Sequence, residues 1–190
     1  MSAPLLHEYI ERISQLLRSE TRQAGADCDL QPIQLSALQF LSRANRYSNT
    51  PQGMTEYFGL TKGTVSQTLM ALERKGFIQK SPDKKDGRMV HLNITRTGRK
   101  LLREALPART VLRALENVPE TKQNQLAEGL QQLLQKMQQL NGMKPFGQCR
   151  TCRYNREKNE GKFFCELTQE NLSPADVKLI CREYQRPVEV

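Results

Sequence analysis

The chain has 190 residues, 37% hydrophobic and 26% charged, which suits one domain with a real core plus a smaller appendage. Its 29 Lys and Arg outweigh 20 Asp and Glu, a formal charge of +9 that favours a polyanionic partner. No run of about 18 apolar residues occurs, which excludes a helical membrane span, and the N-terminus lacks the basic-then-apolar order of a secretory signal, so a cytoplasmic protein is expected.

Taken in chain order, Leu5, Leu6, Tyr9, Ile10, Ile13, Leu16 and Leu17 recur at helical spacing and predict a first helix ending near Gly25. Pro32 opens a second, marked by Leu35, Leu38, Phe40 and Leu41. Residues 53–60 read as a short third helix, and with the turn at Thr61 they supply the first half of a helix-turn-helix. Residues 61–76 form the fourth. Val65, Leu69 and Leu72 make its packing face, while Thr64, Ser66, Gln67 and Thr68 crowd its N-terminal half beside Lys62 and Gly63. Such short hydroxyl and amide side chains can approach base edges in a major groove and both donate and accept there. Gly76 is the expected C-terminal cap.

Residues 77–80 begin a strand, residues 82–88 carry turn chemistry, and residues 90–94 alternate with period two, which together predict a hairpin whose tip is a wing. Between Thr61 and Lys100 ten Lys or Arg face three Asp or Glu, so this fifth of the chain holds seven of the nine net positive charges. Phosphate contacts are expected from Lys62, Lys84, Lys85 and Arg96, and base readout from the helix.

These residues resemble the multiple-antibiotic-resistance regulator (MarR) family of winged helix-turn-helix transcription factors. The resemblance rests on Lys62-Gly63-Thr64-Val65-Ser66, on Leu72-Glu73-Arg74-Lys75-Gly76-Phe77-Ile78, and on the wing residues Asp83, Asp86 and Arg88 followed by Val90-His91-Leu92-Asn93-Ile94-Thr95-Arg96-Thr97-Gly98. It covers roughly residues 5–142. It implies a wing arginine, Arg88, in the minor groove, braced by Asp86, and a regulator, usually a repressor, bound to a double-stranded DNA operator.

From Gly98 a long helix is expected to about Asn117, with Pro107 starting or kinking a helix within it. A last helix over residues 120–140 carries Leu126, Leu130, Leu133, Leu134, Met137 and Leu140 on one side. The stripes on the first and last helices exceed what a small winged helix can bury, so a homodimer reading a pseudo-palindromic operator is expected. The family resemblance, in which the terminal helices intertwine, implies the same.

The MarR pattern has no counterpart to the segment after Gly142. Residues 143–190 hold four of the five cysteines, Cys149, Cys152, Cys165 and Cys181. In a reducing compartment these are metal ligands or reactive thiols rather than disulfides. A segment this short with few large apolar side chains needs a cross-link in place of a core. An iron-sulfur cluster is slightly preferred over a structural zinc, with thiol switching third, because scattered cysteines suit a cluster and Cys149-Arg-Thr-Cys152-Arg lacks the glycine turn of a zinc knuckle. Arg150, Arg153, Arg156 and Lys158 are expected to favour thiolates there. Residues 162–165 read as a strand, and Ser173-Pro174-Ala175-Asp176 reads as a helix start placing Val177, Ile180, Cys181 and Tyr184 on a helix. Cys28 is left over as a small buried residue or an inert thiol.

The expected organisation is therefore mainly α with a small β wing: residues 1–30 a dimerisation helix, 31–98 the winged helix, 99–142 further dimerisation helices, and 143–190 a cysteine-rich metal-binding module. Two other classes fit poorly. A cysteine-dependent oxidoreductase lacks acid-base groups, since His7 and His91 are the only histidines, and an RNA-binding adaptor would favour exposed aromatics, which make up 6% of the chain. Residues 1–142 are expected to read DNA without the module, with its loading altering the spacing of the two reading heads through the dimer helix.

Overall fold

The computed structural model describes residues 3–83, 86–105, 109–159 and 161–187. Helices α1 (Ala3–Asp27), α2 (Pro32–Arg43), α3 (Pro51–Phe58) and α4 (Lys62–Arg74) precede an antiparallel hairpin of β1 (Ile78–Pro82) and β2 (Val90–Ile94). Helices α5 (Arg96–Glu104), α6 (Arg109–Leu115) and α7 (Glu120–Leu140) come next. Beyond them lie short strands: β3 (Gly147–Gln148), β4 (Asn155–Asn159), β5 (Lys162–Cys165), β6 (Glu170–Leu172) and β7 (Ile180–Cys181). This is a mainly helical winged helix-turn-helix with small antiparallel sheets, the class the sequence predicts.

Helix starts follow their caps. Thr50 Oγ1 accepts from Gly53 N–H at 3.0 Å with Pro51 in the first turn, which starts α3 two residues before the expected Gly53. Thr61 caps α4 through Thr64 N–H, and Thr95 caps α5 through Gly98 N–H, again ahead of the expected start. Gly76 takes φ +70° just past α4, a left-handed conformation that glycine adopts without strain. Where the sequence predicts one long helix from Gly98, α5 and α6 are separate, and Pro107 lies outside the described residues.

The core lies where α2, α3, α4 and β2 meet. Leu35, Leu38, Met54, Val65, Leu72 and Leu92 are almost fully buried there, each contributing on the order of 1.5–3 kcal/mol by leaving water. Cys28 packs half-buried against this core. By contrast α7 buries nothing: Leu126, Leu130, Leu134, Met137 and Leu140 are exposed, as are Leu6, Tyr9, Ile13 and Leu16 on α1.

The C-terminal segment departs from expectation. After Ser173 there is only a single 3-10 turn (Asp176–Lys178), and Ile180 and Cys181 are strand, not helix. Ser173 does cap, with its hydroxyl and N–H bonded to Asp176, but the backbone beyond finds better partners. Cys181 pairs with Gly147 and Ile180 with Gln148, and Ile180 also bridges in parallel to Ala44 at the end of α2. Strand β5 pairs with both β4 and β6. The segment is not left to its own core either. Ile180 is buried in the main core, and Phe146 packs 5.2 Å from the Tyr57 ring and 6.3 Å from the Phe40 ring, both edge-on. Residues 1–142 thus share core packing with the segment that follows them.

The turn between α2 and α3 admits no side chain at Gly53, where a Cβ would lie 2.2 Å from the Ser48 carbonyl oxygen. Because that neighbour is backbone, Gly53→Ala should destabilise the protein by about 1–3 kcal/mol in denaturant titrations.

Candidate DNA-reading face and thiol cavity

On α4 and its cap the exposed residues are Thr61, Lys62, Gly63, Thr64, Ser66, Gln67 and Met70, opposite the buried Val65, Leu69 and Leu72. Thr68, expected on the reading face, is 5% exposed and donates to the Thr64 carbonyl at 2.9 Å. At i+3 from Val65 and i−4 from Leu72 it belongs to the packing stripe, and its hydroxyl is satisfied within its own helix. Beside this face a cleft of about 530 Å³ runs between α3, α4 and the hairpin, with Gln52, Lys62, Ser66 and Lys80 on its walls.

The wing is organised by two aspartates. Asp83 Oδ1 accepts from Asp86 N–H at 2.8 Å, folding the turn, and Asp86 Oδ1 accepts from Arg88 N–H at 3.0 Å and stands 3.4 Å from Arg88 Nε. The Arg88 side chain is 95% exposed, so Asp86 orients a guanidinium that otherwise faces solvent. Asp83 Oδ2 lies 2.8 Å from His91 Nε2, and His91 Nδ1 lies 2.8 Å from Asn49 Oδ1, tying the wing base to the α2–α3 turn. Arg96 is exposed at the first residue of α5. Lys84 and Lys85 lie outside the described residues.

Cys149, Cys152, Cys165 and Cys181 come together from a 3-10 turn (Cys149–Thr151) and the residue after it, from β5 and from β7, and all four line one small cavity of about 20 Å³. Asn45, Tyr47, Tyr154, Thr168 and Glu183 also line its wall. Among the described residues no group of three or more His, Cys, Asp or Glu is arranged to hold a single metal ion. Burial pushes the Cys149 thiol up to about 12, with the neighbouring Cys181, Cys165 and Cys152 adding to the effect. Burial also raises Cys181, against hydrogen bonds from the Asn45 side chain and the Glu183 backbone that lower it.

Three of the four cations expected to favour thiolates are engaged elsewhere. Arg156 pairs with Glu166 at 3.0 Å and donates to the Arg153 carbonyl, Arg153 stacks on Tyr154, and Lys158 sits 3.7 Å from the centre of the Phe164 ring. At Cys149 and Cys181 burial therefore outweighs them.

The residues that sequence reasoning missed are those that dock this cavity on the helical head. The Ile180 carbonyl accepts from Asn45 N–H at 2.9 Å, and Ser48 Oγ lies 2.9 Å from both that carbonyl and Asn45 Oδ1 while accepting from Arg182 N–H at 2.8 Å. Arg182 then grips Glu56 of α3 with two hydrogen bonds, Nε to Oε2 at 2.5 Å and Nη2 to Oε1 at 2.7 Å. Arg46 and Tyr47 hold Glu170, and Lys144 holds Glu183. A polar Asn-x-x-Ser turn is a visible local signal, but nothing in it names a partner more than 130 positions away.

The fold is that of a winged helix-turn-helix protein. A family model described as the MarR family matches residues 29–89. Among solved structures, a mutant MepR from a multidrug-resistant Staphylococcus aureus clinical isolate is 24% identical with a TM-score of 0.59 over 70% of this chain and 97% of its own. FabT of Streptococcus pneumoniae, solved in complex with DNA, is 24% identical with a TM-score of 0.58 over 73% of this chain and 99% of its own. The S. aureus MepR–DNA complex is 22% identical with a TM-score of 0.56, covering 72% of this chain and 98% of that one. No curated protein sequence matches the chain. The family model covers residues 29–89 alone, and more than a quarter of this chain has no counterpart in these structures, which are themselves matched almost end to end.

The Arg182 guanidinium holds the Glu56 carboxyl below its ordinary value of 4.5. A depressed carboxylate stabilises the fold above its unfolded pKa and loses that contribution as pH falls through its folded one. Glu56→Gln should therefore cost about 1.5 kcal/mol near neutral pH, the lower end for a charged hydrogen bond because the pair is partly exposed. The difference from wild type in urea titrations should shrink steadily below pH 4.5.

Proposed function

We propose that the protein is a DNA-binding transcriptional regulator of the MarR type, acting in the cytoplasm as a homodimer on a pseudo-palindromic operator, with a cysteine-ligated metal centre that reports iron or redox status. The observation that carries the DNA reading is the continuous exposed surface of α4 beside a wing whose Arg88 is solvent-facing yet oriented by Asp86. Thr61, Lys62, Gly63, Thr64, Ser66 and Gln67 are assigned to the major groove, Arg88 to the minor groove, and Arg96 with Lys62 to phosphates. That FabT and MepR are solved with DNA supports this reading. So does the family, whose members are regulators rather than enzymes. Repression is the mode we assign.

The dimer is supported by the apolar faces of α1 and α7, which no described residue of the subunit covers. Leu16 is 64% exposed and Leu140 76%, and contiguous stripes of this kind are what a second copy buries.

For the centre, the ligands are Cys149, Cys152, Cys165 and Cys181. Cys149, pushed up to about 12, and Cys181, also raised, are poor nucleophiles by themselves, which argues against a simple thiol switch at those two positions. A bound metal cation would reverse that by stabilising the thiolates together. The Thr168 hydroxyl lines the cavity, buried with no hydrogen-bond partner among the described residues, and a cluster sulfide or thiolate is an acceptor it lacks. An iron-sulfur cluster is preferred because the four cysteines come from scattered positions rather than from two paired motifs. A structural zinc is the second reading, favoured by a cavity of only about 20 Å³, the room of one water molecule.

Arg88→Ala should weaken binding to a duplex selected from a random pool by about 1–3 kcal/mol at fixed salt, with light scattering showing the same dimer. Equal affinity of the variant would remove the minor-groove role. Anoxically purified protein should be brown with iron and acid-labile sulfide. Serine at any of Cys149, Cys152, Cys165 or Cys181 should sharply reduce metal content, while Cys28→Ser should not. Colourless protein with about one zinc per chain would select the second reading, and full loading in two or more of the four variants would refute a shared centre.

A further inference from the structure

Cys181 is flanked on both sides by residues that join the cysteine module to the reading head. Its N-terminal neighbour Ile180 presents the carbonyl to which Asn45 N–H donates and near which Ser48 Oγ stands at 2.9 Å. Its C-terminal neighbour Arg182 donates to Ser48 Oγ and clamps Glu56 on α3, the helix that packs against α4. Asn45 and Cys181 line the same cavity. The far side of the same turn is bonded to the wing: Asn49 O accepts from Leu92 N–H at 2.7 Å, and Asn49 Oδ1 meets His91, which meets Asp83. Asp83 in turn fixes Asp86, and Asp86 fixes Arg88.

The contacts form a series from the two chain neighbours of Cys181 to the wing arginine within one subunit, with Ser48 wholly buried at its middle. The buried Ser48–Ile180 contact has few alternative arrangements, so a displacement of β7 is felt at the α2–α3 turn. Helix α7, expected to carry the signal, is joined to the module's far end by the Arg186 guanidinium on the Gln135 carbonyl.

We propose that the loading state of the four-thiol centre is transmitted through β7 to the α2–α3 turn, and from there to α3 and to the wing, so that Asn45, Ser48 and Arg182 are positioning residues for DNA recognition although none touches DNA. The inference rests on the metal centre proposed above. Coupling runs inside each subunit, and the distance between the two heads of a dimer need not change.

The test compares full-length protein stripped of metal with protein reloaded anoxically with ferrous iron and sulfide, or with zinc alone, on the selected duplex. Wild type should change affinity roughly 5- to 150-fold between forms, the usual span of an allosteric coupling. Ser48→Ala and Arg182→Gln should keep their metal but bring the two forms to within about twofold. Amide hydrogen exchange on wild type gives a reading independent of any variant's folding: loading should slow exchange in α3 and at Leu92. Variants that bind metal and retain the full difference, or wild type that loads with unchanged exchange at α3 and Leu92, would overturn the relay and leave the centre standing. Wild type that takes up no metal on the four cysteines would overturn the centre and the relay together.

Discussion

The structure depends on how residues 45–50, between α2 and α3, satisfy their polar groups. Ser48 is completely buried and Thr50 nearly so, and a buried turn carries backbone and hydroxyl groups that cost free energy unless paired. Asn45 Oδ1 accepts from the Tyr47 and Ser48 amides inside the turn, Thr50 caps α3, Asn49 O receives Leu92 N–H from the wing, and Ser48 Oγ and Asn45 N–H take their remaining partners from β7. Helix α3, the wing and the cysteine module are thereby fixed to one short piece of chain.

Such an arrangement changes what an appended module is. A tail joined by a linker would add a function without touching the head. Here Ile180 fills core volume, Phe146 joins the cluster of Phe40, Tyr57 and Phe58, and Arg182 neutralises a carboxylate on a helix-turn-helix element. The winged-helix head and the thiol cavity share walls, since Asn45 and Tyr47 line the cavity from the head side. Chemistry at the cavity is one residue removed from the packing that positions α3 and the wing.

Burial raises the Cys149 and Cys181 thiols and so favours their protonated form. The nearby Arg156 and Lys158 are engaged by Glu166, by a carbonyl and by an aromatic ring. The same burial that protects the cysteines also locks β7 in place.

The local pattern alone determined much of this protein. Helical spacing located α1, α2 and α7, Thr61 and Gly76 bounded α4, and the alternation in residues 90–94 with the Asp-Gly turn located the wing, because each depends on neighbours within a few residues. The four cysteines line one cavity, as expected of residues that share a site. Tertiary structure decided everything set by remote partners. Thr68 turned inward because its helix face meets α2 and α3. Ser173 capped a single turn rather than a helix because Ile180 found backbone partners at Gln148 and Ala44. The docking of the module on the α2–α3 turn, instead of on the dimer helix that precedes it, has no sequence signature, since a hydrogen bond between Ser48 and Ile180 depends on three-dimensional closure and leaves no periodicity along the chain.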